Sequence, residues 1–248
     1  MGIFDKKNCD ICGGKIGLLG NRKLEDGNLC KDCAKNLSPF FSERRKSTIA
    51  DINNHLAYRE ANKAAVTAFN ATRTLGKGTK VFLDEDAGKF LVTSARKMDE
   101  GNPDVLDFSQ VTGCVLDVSD YKTEQKQKDK DGKQVSYVPP RFIYNYDFNF
   151  TIQVNHPWFT EINFKVNNQS VHSEETTRGA DAGRNTNDYR ECEALANEIK
   201  EALTHIRQTS RETKAAVPKV ALKCPGCGAT CIPDANGRCE YYGGPMIA

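Results

Sequence analysis

Cys9-Asp10-Ile11-Cys12, seventeen residues, then Cys30-Lys31-Asp32-Cys33: two Cys-x-x-Cys knuckles at this separation have the ligand spacing of a structural zinc site. Each knuckle bends the backbone until two thiolates converge, and the second pair closes the tetrahedron. Zn²⁺ then holds together a segment too short to fold on a hydrophobic core of its own. Gly13-Gly14 after the first knuckle and Glu25-Asp26-Gly27 before the second supply turns. Four unconnected buried cysteines would not explain the spacing. Lys6, Lys7, Lys15, Arg22, Lys23, Lys31 and Lys35 surround the knuckles, and Arg44-Arg45-Lys46 adds a short basic run. Four thiolates on one Zn²⁺ carry a formal charge of about −2, so part of this excess offsets the site. The rest reads as a solvated face in preference to a nucleic-acid patch.

The other bounds are ordinary. A chain of 248 residues, 38% hydrophobic and 27% charged, has room for one fair-sized domain with small appendages and is not of disordered type. Its net charge of +2 gives no global pull toward nucleic acid or an anionic membrane. Of its ten cysteines, eight cluster at the two ends in knuckle-like groups. Met1 to Asp10 lacks an apolar stretch of signal-peptide length, and no later run approaches a membrane span. A reducing cytoplasm with thiolates on zinc is therefore expected. Lys6 stands where a myristoylation motif requires Ser or Thr, which rejects that modification.

Beyond the knuckles, Ser47 or Thr48 can cap a helix with Asp51 in its first turn, and Ile49, Ile52 and Leu56 fall on one stripe, continued loosely by Ala65, Val66 and Phe69. His55 reads as a surface or boundary residue. Strands follow: Val81 to Leu83 and Phe90 to Val92 flank a hairpin turn at Asp84 to Gly88. Gly76-Lys77-Gly78-Thr79 fails as a phosphate loop, because Ala71 occupies the required earlier glycine position and a strand follows. After a loose stretch from Asp99 to Asp107, a strand is expected from Val111 to Val118, with Cys114 as a small buried hydrophobe. Lys122 to Lys133 reads as a long charged hairpin loop.

The clearest strand alternates Phe142, Tyr144, Tyr146, Phe148, Phe150, Ile152 and Val154 with Ile143, Asn145, Asp147, Asn149, Thr151 and Gln153. One buried and one wet face over this length imply a strand bending across a barrel. The wet face has no Lys or Arg between Arg141 and Asn155, so the aromatic stripe reads as core and not as a base-stacking platform. Ile162, Phe164 and Val166 give a partner strand. Asp188 with Glu191 resembles a capping box for a helix with Tyr189, Cys192, Leu195, Ile199, Leu203 and Ile206 on one stripe, running to about Thr209.

Cys224-Pro225-Gly226-Cys227-Gly228 is a further knuckle, and Cys239 can start its partner, but Tyr242 stands where a zinc ribbon places the last cysteine. Either Cys231 completes a rearranged four-cysteine site, or three thiolates hold zinc with an exogenous ligand, or the ribbon has decayed. A three-ligand catalytic zinc is disfavoured, since no general base is identifiable nearby.

The opening Cys-Asp-Ile-Cys-Gly, the approach Leu24-Glu25-Asp26-Gly27-Asn28-Leu29-Cys30, and Lys31-Asp32-Cys33 resemble a bacterial family known as domain of unknown function 4428. That resemblance implies a zinc finger joined to a strand-rich region, often ending in a short zinc ribbon. The middle, supported by Phe82-Leu83-Asp84, the phrase Asp107 to Gly113 and the closing helix, resembles a bacterial pleckstrin-homology-like barrel. No activity is implied by either.

The expected architecture is α+β: a zinc finger over residues 1–46, a helical connector over 47–69, and an antiparallel pleckstrin-homology-like β-barrel with capping helix over 70–212. A linker over 213–222 and a zinc-ribbon-like tail over 223–248 complete it. The expected metal ligands are Cys9, Cys12, Cys30 and Cys33, with Cys224, Cys227, Cys231 and Cys239 as a second set. The expected function is a zinc-binding, non-enzymatic intracellular adaptor for a protein or peptide. Nucleic-acid binding through the zinc modules is the alternative, and anionic-lipid recognition by the barrel a second one, weakened by the acidic Asp84-Glu85-Asp86 hairpin. No small-molecule substrate is implied. His55, His156, His172 and His205 lie far apart, and no nucleophile–base pattern ties any of them together, so an enzyme is the least favoured class.

Overall fold

The computed structural model describes residues 7–175, 184–216, 222–224, 226–231, 239 and 241. The chain divides into two units, Met1–Arg207 and Gln208–Ala248.

The finger is built from two-residue strands and turns, with little of its fold set by apolar packing. β1 (Lys7–Asn8) pairs with β2 (Lys15–Ile16), and β3 (Arg22–Lys23) pairs with β4 (Asn28–Leu29). The second knuckle opens the short helix α1 (Lys31–Lys35), whose N-cap is Cys30. The finger's core is small: Cys9, Ile16, Leu24, Leu29 and Leu37, closed by Ile52 from the next helix.

That helix, α2 (Ile49–Ala68), starts where the sequence marks it. Thr48 accepts from the backbone of Asp51 while the Asp51 carboxylate accepts from the Thr48 amide, a reciprocal cap. The Asp26 carboxylate also accepts from the Ile49 amide at 2.8 Å, tying the finger to the helix N-terminus.

The strands form two four-stranded antiparallel sheets. β5 (Arg73–Leu75), β6 (Lys80–Asp84), β7 (Lys89–Thr93) and β8 (Val105–Asp107) pair in chain order. Gly76 leads into β6, a strand, so the phosphate-loop reading stays rejected. In the second sheet β10 (Gln134–Val154) is central: it pairs with β9 (Val111–Lys128) along one edge, and with β11 (Glu161–Lys165) and β12 (Val171–Glu175) along the other. The expected closed barrel is not formed: among the described residues no pairing joins the two sheets. They share a core instead. Val81, Leu83, Phe90 and Leu106 meet Tyr146, Phe148, Phe150, Ile152 and Val154, and the helix α3 (Asn187–Ala216) adds Tyr189, Ala196, Ile199 and Leu203. The alternation read along β10 is borne out for these five residues, while Phe142 and Tyr144 are only half-buried, where the strand leaves the core.

Several boundaries differ from expectation. The charged stretch after Val118 is strand, not loop; β9 runs to Lys128 and only residues 129–133 turn. The α3 cap is Thr186, not Asp188: its side chain accepts from Tyr189 N at 3.3 Å and its carbonyl from Arg190 N at 3.1 Å. α3 continues past Thr209 to Ala216, which shortens the expected linker.

The largest departure is His55, which is fully buried, not a surface residue. Its Nε2 accepts from the Ser38 amide at 3.1 Å, and its ring packs on Trp158 and Phe41 with centroids at 4.8 and 4.5 Å. Beside it a buried polar cluster fastens α2 to the residues preceding β8. The Asp104 carboxylate accepts from Arg59 Nη1 at 2.7 Å, Ser38 Oγ at 2.7 Å and Tyr58 OH at 3.0 Å. Asn62 Nδ2 donates to the Pro103 carbonyl and its Oδ1 accepts from the Val105 amide.

Burial, the Arg59 charge and His156 hold the His55 pKa down to about 4 against the opposing pull of Asp104. The unfolded imidazole titrates near its ordinary value of 6.5. Between these limits the unfolded chain carries the extra proton, so stability falls as pH falls, by up to about 1.4 kcal/mol per pH unit. Urea midpoints followed from neutral pH to about pH 4.5 should therefore fall more steeply for wild type than for His55→Gln, whose amide oxygen can still accept from Ser38. Parallel curves would show that His55 is not buried neutral.

Candidate metal centres and the surfaces around them

Both knuckle turns arise from the same local chemistry. In the finger, Cys9 N donates to Gly14 O and Gly13 N returns a bond to Cys9 O, each at 2.8 Å. In the tail, Cys224 N donates to Ala229 O at 2.7 Å and Gly228 N to Cys224 O at 2.8 Å. The turn closes through a residue at positive φ, which Gly13 (71°) and Gly228 (73°) adopt without a Cβ penalty.

These turns bring the four finger sulfurs of Cys9, Cys12, Cys30 and Cys33 within 4.8 Å of one another. The Cys12–Cys30 sulfur separation is 3.8 Å, the edge of a tetrahedron with metal–sulfur bonds of about 2.3 Å. The backbone supplies the donors a thiolate needs: Cys30 N reaches Cys9 Sγ at 3.2 Å and Cys33 N reaches Cys30 Sγ at 3.3 Å. Burial raises the Cys9 pKa, but the amides of Cys12, Cys30 and Ile11 more than offset this and bring it to about 6. Cys33 is pushed well above the usual thiol range by burial and by the crowded sulfurs of Cys30, Cys12 and Cys9. Four thiolates gathered this closely repel one another, so full deprotonation of the set requires a cation at its centre. The donors fit a divalent metal ion taking four thiolates.

In the tail unit, Cys224, Cys227 and Cys239 likewise converge within 4.8 Å. Cys231 lies on β14 (Thr230–Cys231), paired with β13 (Leu222–Lys223), and its sulfur sits 3.5 Å from that of Cys239. Cys227 and Cys239 are 3.7 Å apart. Three of the four sequence-predicted tail ligands thus converge, and Cys231 lies outside that mutual group but touches it through Cys239. Tyr242, where the ribbon pattern lacks its cysteine, lies outside the described residues.

Besides His55, the histidines occupy unlike settings, His156 half-buried and His172 exposed. His156 packs on Phe159 and Tyr58 at centroid distances of 4.2 and 5.1 Å, and burial lowers its pKa. His172 Nδ1 meets Asn145 Oδ1 at 2.6 Å, while the nearby Asp147 carboxylate accepts from Lys165 and Ser170, each at 2.7 Å. The side chain of His205 lies outside the described residues.

Two surfaces go beyond the sequence reading, which named the cations of the first singly, as a solvated face, and took much of the second for a loop. Arg22, Lys23, Arg44 and Arg45 line one open cleft of the finger together with Asn21, Leu24 and Glu25. Among the described residues, the arm formed by β9 and β10 extends past the end of β12 as a two-stranded ribbon, bulged between Ser136 and Arg141, with Val138 96% exposed. Arg141 stacks over the Tyr137 ring at 4.3 Å. No helix among the described residues is long and apolar enough to cross a membrane.

Residues 7–55 match the family model described as Domain of unknown function (DUF4428), which bears out the resemblance carried by the two finger knuckles. No curated protein and no solved structure matches the chain.

Proposed function

We propose that this chain is a zinc-folded, non-enzymatic adaptor of the cytoplasm, and that its arm docks a protein or peptide partner. The exposed arm carries this reading. A two-stranded ribbon is marginal by itself in water, and here, among the described residues, its outer part pairs with no third strand and leaves Val138 in solvent and Val135 partly so. Apolar side chains beside a stacked Arg–Tyr pair have the composition of an interface hot spot, not of a bare connection. A closed four-thiolate set suits a metal that folds its module and leaves no open position for substrate. The buried polar groups Asp104, Arg59, Ser38 and His55 are engaged in holding α2 to the segments around it. A pleckstrin-homology-like origin for the two sheets belongs to the same proposal; its support is a run of antiparallel strands closed by the amphipathic helix α3.

A photoreactive residue at position 138, introduced in the native host, should trap a discrete protein adduct that is absent when the same residue replaces the exposed Ala61 on α2. Identical adducts from both positions, or none, would remove the arm as the docking element.

The finger's basic cleft favours a second reading, nucleic-acid binding through the zinc modules. Affinity should then fall steeply with salt, with a slope of about 0.9 per duplex phosphate neutralised. No binding to DNA or RNA at low salt would end it. Lipid recognition by the sheets draws no comparable support, since Glu85 and Asp86 stand exposed at the turn after β6 and would repel an anionic surface.

A further inference from the structure

The turn between β2 and β3 exposes the largest adjacent apolar pair of the described residues. Gly20 N donates to Gly17 O at 2.9 Å, which puts Leu18 and Leu19 at the two central positions of a tight turn. They are 79% and 89% exposed. Nothing local requires leucine there, because turn centres favour polar residues and the finger core is closed without them. Cations flank the pair. Arg22 Nη1 reaches the Leu19 carbonyl at 3.4 Å, and Arg44 donates to the Lys23 carbonyl, which draws Arg22, Lys23, Arg44 and Arg45 around one cleft with Glu25 as its only carboxylate. Among the described residues no ion pair neutralises these four; Lys46, next in sequence, pairs with Glu43. Burial and the repulsion of Arg45 and Arg22 lower the pKa of Arg44, as expected where cations crowd without a counter-ion.

We propose that the finger docks on an anionic lipid bilayer, with Leu18 and Leu19 entering the boundary between headgroups and acyl chains and Arg22, Lys23, Arg44 and Arg45 lying against lipid phosphates. Size selects this occupant. A stable protein interface covers about 800 Å² on each partner, and two leucines on a four-residue turn cannot supply its apolar centre. Membrane association needs only a small inserted apolar area together with cations near the anionic surface. A nucleic-acid backbone would satisfy the cations but leave both leucines in water, unless the turn were wedged between base pairs at the cost of unstacking them. The acidic Asp84-Glu85-Asp86 hairpin, which weighs against lipid binding by the sheets, belongs to β6 and its turn and not to the finger. The inference goes beyond the adaptor reading, since it uses the finger and not the arm, and it requires only that the finger be folded.

The test is co-sedimentation of the full-length zinc-loaded protein with vesicles of phosphatidylcholine alone and of phosphatidylcholine mixed equally with phosphatidylserine. Wild type should bind the mixed vesicles selectively. Leu18→Ser/Leu19→Ser should weaken binding about tenfold per leucine, roughly a hundredfold for the pair, with zinc content unchanged. Arg44→Glu/Arg45→Glu should abolish the preference for anionic vesicles, each cation contributing about fivefold. No binding to mixed vesicles, or binding indifferent to the leucines, overturns the proposal. Binding to a DNA duplex that competes fully with vesicles and ignores the leucine substitutions overturns it in favour of the nucleic-acid reading. Crosslinking through Val138 is independent of these readouts, so a failed arm and a failed finger are distinguishable.

Discussion

Asp104→Ala is expected to destabilise the Met1–Arg207 unit by about 3–5 kcal/mol, the cost of leaving one partner of a buried ion pair uncompensated. Asp104 is fully buried and Arg59 nearly so, and the carboxylate also satisfies Ser38 and Tyr58. Its removal takes the shared acceptor from a guanidinium, a hydroxyl and a phenol in one step, and the other acids of the segment before β8, Asp99 and Glu100, are exposed and stand outside the cluster. Trp158, the chain's single tryptophan, packs beside His55 and reports on this region by fluorescence during urea unfolding. The double variant Arg59→Met/Asp104→Leu should recover the part of the loss that comes from the uncompensated guanidinium, while the Ser38 hydroxyl and the Tyr58 phenol still lack their acceptor. A loss under about 1 kcal/mol for Asp104→Ala would mean that water reaches the cluster and that α2 is held by the ring contacts of Phe41, Trp158 and His156 with His55 and Tyr58.

The same cluster shows where sequence reading stops. The finger was legible because metal ligands act at short, fixed spacing: Cys9, Cys12, Cys30 and Cys33 are near in sequence, and Gly13 marks the turn between them. β10 was legible because one of its faces is buried, which stamps a period of two on Tyr146 to Val154. β9 beyond Val118 carries no such stamp. Both of its faces are wet there, so Lys122, Lys126 and Lys128 read as loop although they hydrogen-bond along β10. Asp104 sits in a stretch without periodicity, and its partners Ser38 and Arg59 lie 66 and 45 residues away. Barrel closure likewise depends on which strand edges meet, and hydropathy along one strand does not encode that. Leu18-Leu19 did leave a signal, two leucines enclosed by Gly17 and Gly20 in a segment too short to bury them. His55 was misjudged for the opposite reason: its stripe neighbours Ile52 and Leu56 serve the finger core, and the aromatic ring of Trp158 that covers it arrives from about a hundred residues downstream.

Chelation is expected to have the largest effect of any perturbation, and to be confined at first to the finger. Structural zinc contributes about 10–16 kcal/mol of apparent binding free energy in comparable peptides. The finger's own core offers five buried side chains, one of them the ligand Cys9, with two-residue strands and a helix of five residues in its place. Native mass spectrometry of protein purified without chelator should find two zinc ions per chain. Removing them should release amide protection at Asn28, Cys30 and Cys33, whose N–H groups point at Asp10 and the sulfurs, while β10 amides stay protected. The N-terminal turn of α2 should loosen with the finger, since Asp26 holds Ile49 and Ile52 completes the finger core. Lowering the pH should release the metal in the same order, because protons compete with it for thiolates and occupancy falls as pH falls. Cys231→Ser separates the two sites: the finger should keep its ion while the tail's is lost or weakened at least tenfold, given a contact of 3.5 Å between Cys231 and Cys239. Retention of both ions at wild-type affinity would show that Cys224, Cys227 and Cys239 hold the second metal without it. Protein that carries no zinc at all and keeps its finger amides protected would overturn the metal-folded reading on which the adaptor and its membrane contact both rest.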